Sequence, residues 1–219
     1  VDKDILKKAE KYINQYACFG SFYKPVKDAG WIAKTWLLIE KKASGIVDWI
    51  PSGTMFVNRE AYRTINGFDE KLKTGEAFDF CQRLNKKGFK IYNDPKLATG
   101  HLGQTDNLKD FIKKEMWRGN TLLKGIKQHG LIKKEIPSTI ITLYHLFAII
   151  AIIITSFLTM KLLLISLAAL ILPSILLAIR KVIQTKKVFY LINFIALIFI
   201  YQMARAISII RYNQIKDIF

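Results

Sequence analysis

An α/β head followed by an all-helical membrane region is the fold class that the sequence predicts, and three observations carry it. Charged residues recur from Val1 to Glu135 and nearly vanish from Ile136 onward, so the composition breaks once, near Pro137. Before the break, helical and strand-like stretches alternate, as they do in α/β domains. After it come three apolar stretches near residues 137–160, 162–179 and 188–210, where about 20 residues at ~1.5 Å each cross a hydrocarbon core of roughly 30 Å. The head is therefore assigned to residues 1–135 and the membrane region to 136–219.

The elements of the head follow in order. Asp4 to Tyr16 has helical spacing, with Ile5, Ala9, Ile13 and Tyr16 on one face. Ala17 to Tyr23 is short, aromatic and strand-like, and Trp31 to Lys42 reads as a helix. Trp49 to Asn58 reads as extended, with a Pro51-Ser52-Gly53 turn before the apolar run Thr54-Met55-Phe56-Val57. Asn66-Gly67 marks a turn, Phe78 to Lys87 a helix closed by Gly88, and Phe89 to Tyr92 a strand ended by Asn93-Asp94-Pro95. Asn107 to Gln128 is amphipathic: Leu108, Phe111, Ile112, Met116, Leu122, Leu123 and Ile126 make a stripe among Lys109, Lys113, Lys114, Arg118, Lys124 and Lys127. Such a helix suits a lipid headgroup layer, and equally a sheet surface with its basic face in water; the two are compatible.

In the membrane region, Ile136 to Met160 has no Asp, Glu, Lys or Arg, and Leu162 to Ile179 is interrupted only by Pro173, which a bilayer helix tolerates. Val188 to Ala204 is the shortest stretch and meets Arg205; either that side chain snorkels to the interface or the segment dips in without crossing. The linker after the first stretch holds only Lys161, whereas the next holds Arg180, Lys181, Lys186 and Lys187, and Lys124, Lys127, Lys133 and Lys134 precede the first. The positive-inside rule then puts the head on the cytoplasmic side. Three crossings would send Arg211 and Lys216 outside, against the rule, so two or three crossings both stand.

A net charge of +17 over 219 residues calls for an acidic partner. There is no zinc-ligand cluster, RNP-like strand or basic zipper run, so nucleic acid is not expected and membrane lipids are. Cys18 and Cys81 are expected to be reduced thiols. Val1 to Gln15 is charged throughout and lacks the apolar core of a signal peptide; with no starting Met, the chain is expected to be incomplete at its front.

One ordered series of motifs carries a resemblance. Val47-Asp48-Trp49-Ile50-Pro51-Ser52-Gly53-Thr54-Met55-Phe56-Val57-Asn58-Arg59-Glu60 is followed by Ile65-Asn66-Gly67-Phe68-Asp69-Glu70 and by Glu76-Ala77-Phe78-Asp79-Phe80-Cys81-Gln82-Arg83-Leu84. Then come Lys87-Gly88-Phe89-Lys90-Ile91, Asp94-Pro95, His101-Leu102-Gly103 and Glu115-Met116-Trp117-Arg118-Gly119. In order, spacing and residue type the series resembles family 2 glycosyltransferases over the whole head. The resemblance implies a GT-A fold, here partial, and a nucleotide-sugar donor. It also implies inverting transfer to a hydroxyl of a lipid-linked or cell-envelope glycan. A carboxylate takes the hydroxyl proton, and a divalent cation, Mg²⁺ or Mn²⁺, neutralises the departing diphosphate.

Two departures matter. The family's base is the acidic residue of a Glu-Asp pair opening a helix, and here the pair reads Glu76-Ala77. Alanine accepts no proton, so Glu76 and Asp79, three residues on, become the catalytic candidates, although both also suit the helix dipole and Asp79 can pair with Arg83. The family's nucleotide-binding half, ending in an Asp-x-Asp metal motif on an apolar strand, has no counterpart; Asp2-Lys3-Asp4 has the spelling without the strand. The resemblance thus implies the back half of a transferase. Trp49, Ser52, Gly53, Trp117 and Arg118 become substrate-binding candidates and His101 a metal-ligand candidate. Trp49 also suits aromatic core packing, Arg118 a solvated or lipid-facing position, and His101 a hydrogen-bonded strand end. A catalytically inactive remnant or a non-catalytic partner subunit is the alternative.

Overall fold

A computed structural model describes residues 3–40, 42–72, 75–129 and 136–211. The chain packs as two compact units, Val1–Gln104 and Thr105–Phe219.

The first unit is built on a four-stranded mixed sheet in the order β2-β4-β1-β3. Strand β1 (Cys18–Gly20) runs parallel to β4 (Ile91–Asn93) and antiparallel to β3 (Met55–Val57), and β2 (Gly45–Val47) is antiparallel to β4. Successive strand residues point to opposite faces, so Cys18 and Phe19 enter different cores. Cys18 joins Ile50, Ile65, Phe80, Leu84 and Ile91, with helix α4 (Glu76–Lys86) supplying Phe80 and Leu84. Phe19 joins Ala9, Tyr12 and Leu97, with helix α1 (Ile5–Ile13) supplying the first two. Helix α2 (Trp31–Glu40) buries Ile32, Trp36 and Leu37, and helix α3 (Arg59–Thr64) is capped by Asn58, whose side chain accepts from the Glu60 N–H. Cys18 and Cys81 are free, fully buried thiols; the hydrogen bond between them and burial push the Cys18 thiol up from its ordinary range.

Several elements depart from expectation. Strand β2 and helix α3 occupy stretches to which the sequence assigned no element; pairing with β4 fixes the first and the Asn58 cap the second. The buried face of α1 is set by Ala9 and Tyr12, while Ile13 is 52% exposed. The reason is polar: the Tyr12 hydroxyl donates to Asp94 Oδ2 at 2.5 Å, which turns the helix toward the loop after β4.

Asp94 is held below the usual carboxylate range. Burial opposes ionisation, but hydrogen bonds from Tyr12 and the Lys96 N–H and the Lys11 ammonium outweigh it. A depressed carboxyl contributes stability that is present above its unfolded value and lost as pH falls through the folded one. Acid denaturation of this unit is therefore expected to set in below about pH 3.8, and Tyr12→Phe should move its onset to higher pH in a fluorescence titration.

Gly20 ends β1 where no side chain fits, since a Cβ there would collide with the Thr54 carbonyl oxygen. Thr54 in turn donates its hydroxyl to the Ser21 carbonyl, locking β1 to the turn before β3. Gly20→Ala should cost about 3 kcal/mol of stability, read from chemical denaturation followed by tryptophan fluorescence.

The second unit is helical: α5 (Leu108–His129), α6 (Ile136–Ser156), α7 (Met160–Thr185) and α8 (Leu191–Ile210). Thr139–Ser156, Met160–Thr185 and Val188–Ile210 are each long and apolar enough to cross a membrane. Pro173 lies inside α7 without ending it. Helix α7 also continues past residue 179 through Arg180 and Lys181, leaving Lys186 and Lys187 as the basic link; Lys186 stops the helix in the left-handed region at φ 56°. Arg and Lys are good helix formers with stems that lie along apolar surface, which accounts for the extension. Two polar contacts lie inside the bundle: Ser174 donates to Gln202 at 2.8 Å, and the His145 Nδ1–H to the Ile141 carbonyl at 2.7 Å.

Candidate functional site

The site grows from the carboxyl ends of the two parallel strands, where ligands of open α/β sheets are commonly held. After β1 the chain passes Tyr23 and Lys24; after β4 it returns through Thr99, Gly100 and His101. The Lys24 N–H donates to the Thr99 carbonyl at 3.0 Å and the His101 N–H to the Lys24 carbonyl at 3.2 Å. This pairing sets the Tyr23 ring edge-on against His101, with centroids 4.3 Å apart.

The Pro51-Ser52-Gly53 turn closes over the same place. Gly53 lies directly against the Tyr23 hydroxyl, and a Cβ at this position would strike it. Ser52 donates its hydroxyl to Glu76 Oε1 at 3.3 Å, joining the turn to the first residue of α4. Tyr23 is half-buried. Burial, with the charges of Glu76 and Glu40, pushes its phenol up from the ordinary value, against a hydrogen bond from the Gly53 backbone. Ser52, Gly53, Glu76 and His101 therefore meet around one residue, Tyr23, that the sequence did not single out. Its only signal was position: an aromatic hydroxyl at the end of a central strand.

The other candidates are placed differently. Asp79 pairs with Arg83 Nε at 2.8 Å, and Arg83 Nη1 binds the Ile65 and Gly67 carbonyls at 2.6 and 2.7 Å. Asp79 thus steadies the Asn66-Gly67 turn, both residues of which have positive φ, and Glu76 is the first-turn carboxylate turned to the Ser52 hydroxyl. Trp49 is half-buried and lies edge-on to Phe22 and Phe78, at 5.2 and 6.3 Å, against the core beneath Cys81 and Leu84. Ala77, where the resemblance expects the base, is 6% exposed. Among the described residues no group of three His, Cys, Asp or Glu side chains is placed to hold a metal ion. The divalent cation remains an implication of the resemblance, and no step below runs through it.

Trp117 and Arg118 belong to the second unit. Arg118 Nη1 pairs with Glu115 Oε1 at 2.6 Å, and Arg205 Nη2 with Glu115 Oε2 at 3.2 Å; Glu115 is 1% exposed. Arg205 lies within α8, five residues before its end, and a carboxylate from α5 receives it. Gly119, one turn on, lets α5 approach α8 so closely that a Cβ would meet the Ser208 hydroxyl.

Comparison with known proteins bears on what such a site does. The chain is 31% identical over 75 residues to the pre-mycofactocin glycosyltransferases of two Mycobacterium tuberculosis strains, CDC 1551 / Oshkosh and H37Rv. Over that stretch it is related to a glycosyltransferase. The stretch is 34% of this chain and 16% of the relatives, so the match spans about a sixth of the length of those curated proteins. No family model matches the chain, and no solved structure does.

Proposed function

We propose that the chain is the acceptor-side part of a membrane-bound glycosyltransferase of the family 2 type. It moves a sugar from a nucleotide-sugar donor to a lipid-linked or cell-envelope glycan. The observation that carries this reading is the position of Glu76, held by the Ser52 hydroxyl to the turn whose Gly53 lies against Tyr23. Its carboxylate takes the acceptor proton as the acceptor oxygen forms its bond to the anomeric carbon and the bond to the leaving diphosphate breaks. General-base catalysis of this kind is worth roughly 10²–10⁴ in rate. The likeness to glycosyltransferases over 75 residues and the three apolar helices support the two halves of the proposal. Anchoring confines enzyme and acceptor to one surface, and the basic links at Lys186 and Lys187 favour a cytoplasmic head.

Ala77 favours a second reading, in which the chain is an inactive copy or a non-catalytic partner subunit. The two readings separate on transfer of radiolabelled sugar from UDP-, GDP- and dTDP-sugars to membrane lipids, with Mn²⁺ or Mg²⁺, for the native chain and Ala77→Asp. Transfer by the native chain supports Glu76 as base. Transfer by Ala77→Asp alone supports the second reading, and silence in both ends the enzymatic one.

A further inference from the structure

We infer that the corner between α7 and α8 is a docking site for anionic phospholipids, whose phosphates it holds in the leaflet it faces. The inference does not depend on the transferase function. Arg180 and Lys181 lie in the last two turns of α7, and Lys186 and Lys187 link it to the 3₁₀ turn Val188–Tyr190 that precedes α8. Arg180, Lys186 and Lys187 are exposed. From Ile136 to Arg211 the sequence holds no Asp or Glu to neutralise them, and Glu115 of α5 is taken by Arg118 and Arg205.

The same corner exposes apolar surface. Phe189 is fully exposed, with Ile183, Val188 and Ile192 exposed around it. Water suits the cations but forgoes the gain of covering so many large apolar side chains together. A headgroup layer offers both: lysine and arginine stems lie along the lipid chains while their ends reach the phosphates, arginine through its fork and lysine as a point charge. Lipid is at hand, since the corner joins two helices that are each long and apolar enough to cross a membrane. Arg180 stands about 9 Å below Lys186 along the helix axis, so the charge forms a band of headgroup depth rather than a single point. The other end of the bundle supplies the contrast. There the link from α6 to α7 exposes Phe157, Leu158 and Met160 with Lys161 alone. That end needs the same apolar cover without the charge, so neutral lipid suffices for it.

The test uses the full chain in a neutral detergent, titrated with phosphatidylglycerol and separately with phosphatidylcholine, the retained lipids being counted by native mass spectrometry. The native chain should hold phosphatidylglycerol about tenfold to a hundredfold more tightly, and the preference should shrink as salt is raised. Arg180→Gln combined with Lys186→Gln and Lys187→Gln should remove most of the preference with an unchanged melting temperature, whereas Lys161→Gln should keep it. Phe189→Ser should weaken both lipids alike and leave their ratio. Equal binding of the two lipids by the native chain, an undiminished preference in the triple variant, or its loss in Lys161→Gln overturns the inference. Displacement of the lipid by glycerol phosphate at matching concentration overturns it too, because the ligand would then be a soluble phosphate and not a lipid.

Discussion

Glu115→Ala is expected to lower the stability of the helical unit by about 3–5 kcal/mol, because it strips a carboxylate from two guanidinium groups inside the protein. Glu115 is 1% exposed and Arg205 14%, so neither Arg205 nor the inner part of Arg118 can recover its hydration in place. The loss measures the uncompensated charge rather than the worth of the pairs. Hence Glu115→Leu combined with Arg205→Leu should recover much of the deficit, as happens when buried ion pairs are replaced by apolar groups of similar size. Thermal unfolding in detergent, followed by circular dichroism, reads both. Equal stability of Glu115→Ala and the native chain would mean that water reaches the two arginines. Glycine at 119 completes the device, since it brings α5 within reach of Ser208 and so sets the distance over which Glu115 and Arg205 meet.

Glu76→Gln is expected to lower sugar transfer by about 10²–10⁴-fold while leaving the fold intact. The substitution keeps an oxygen for the Ser52 hydroxyl and removes only the ability to take a proton. Asp79→Asn should act otherwise. It loosens the Arg83 grip on the Ile65 and Gly67 carbonyls, so its effect belongs mainly to stability, and any loss of transfer should follow the fraction unfolded. Transfer assays and melting curves on the two variants, side by side, separate a base from a brace.

How much of this was legible beforehand differs from residue to residue. The long elements were clear: the three apolar stretches are the three apolar helices, and the amphipathic stretch from residue 107 is α5. Those signals repeat over five or more turns. Two short elements were not: β2 and α3 are fixed by pairing with β4 and by the Asn58 cap, which are tertiary and local hydrogen-bond facts rather than periodicities. The α1 stripe holds at Ile5, Ala9 and Tyr16 and fails at Ile13, because hydrophobicity ranks Ile13 above Tyr12, whereas Tyr12 brings Asp94 a donor. At the candidate site, the motif series located Ser52, Gly53, Glu76 and His101, but a linear motif says nothing of which residue they surround. Tyr23 precedes the first motif by more than twenty positions in the sequence and reaches the site through the Lys24–Gly100 bridge. Arg205 was read as a problem for a membrane helix, to be solved at the interface. The structure adds a partner that no local pattern announces, a carboxylate ninety residues away.

The most direct measurement is radiolabelled sugar transfer to membrane lipids by the native chain and by Glu76→Gln, in matched membranes with the same donors and with expression and melting temperature equalised. The proposed function predicts transfer by the native chain and a loss of at least about a hundredfold in the variant. Equal transfer by both would contradict the central claim, because the proton of the acceptor would then leave by another route.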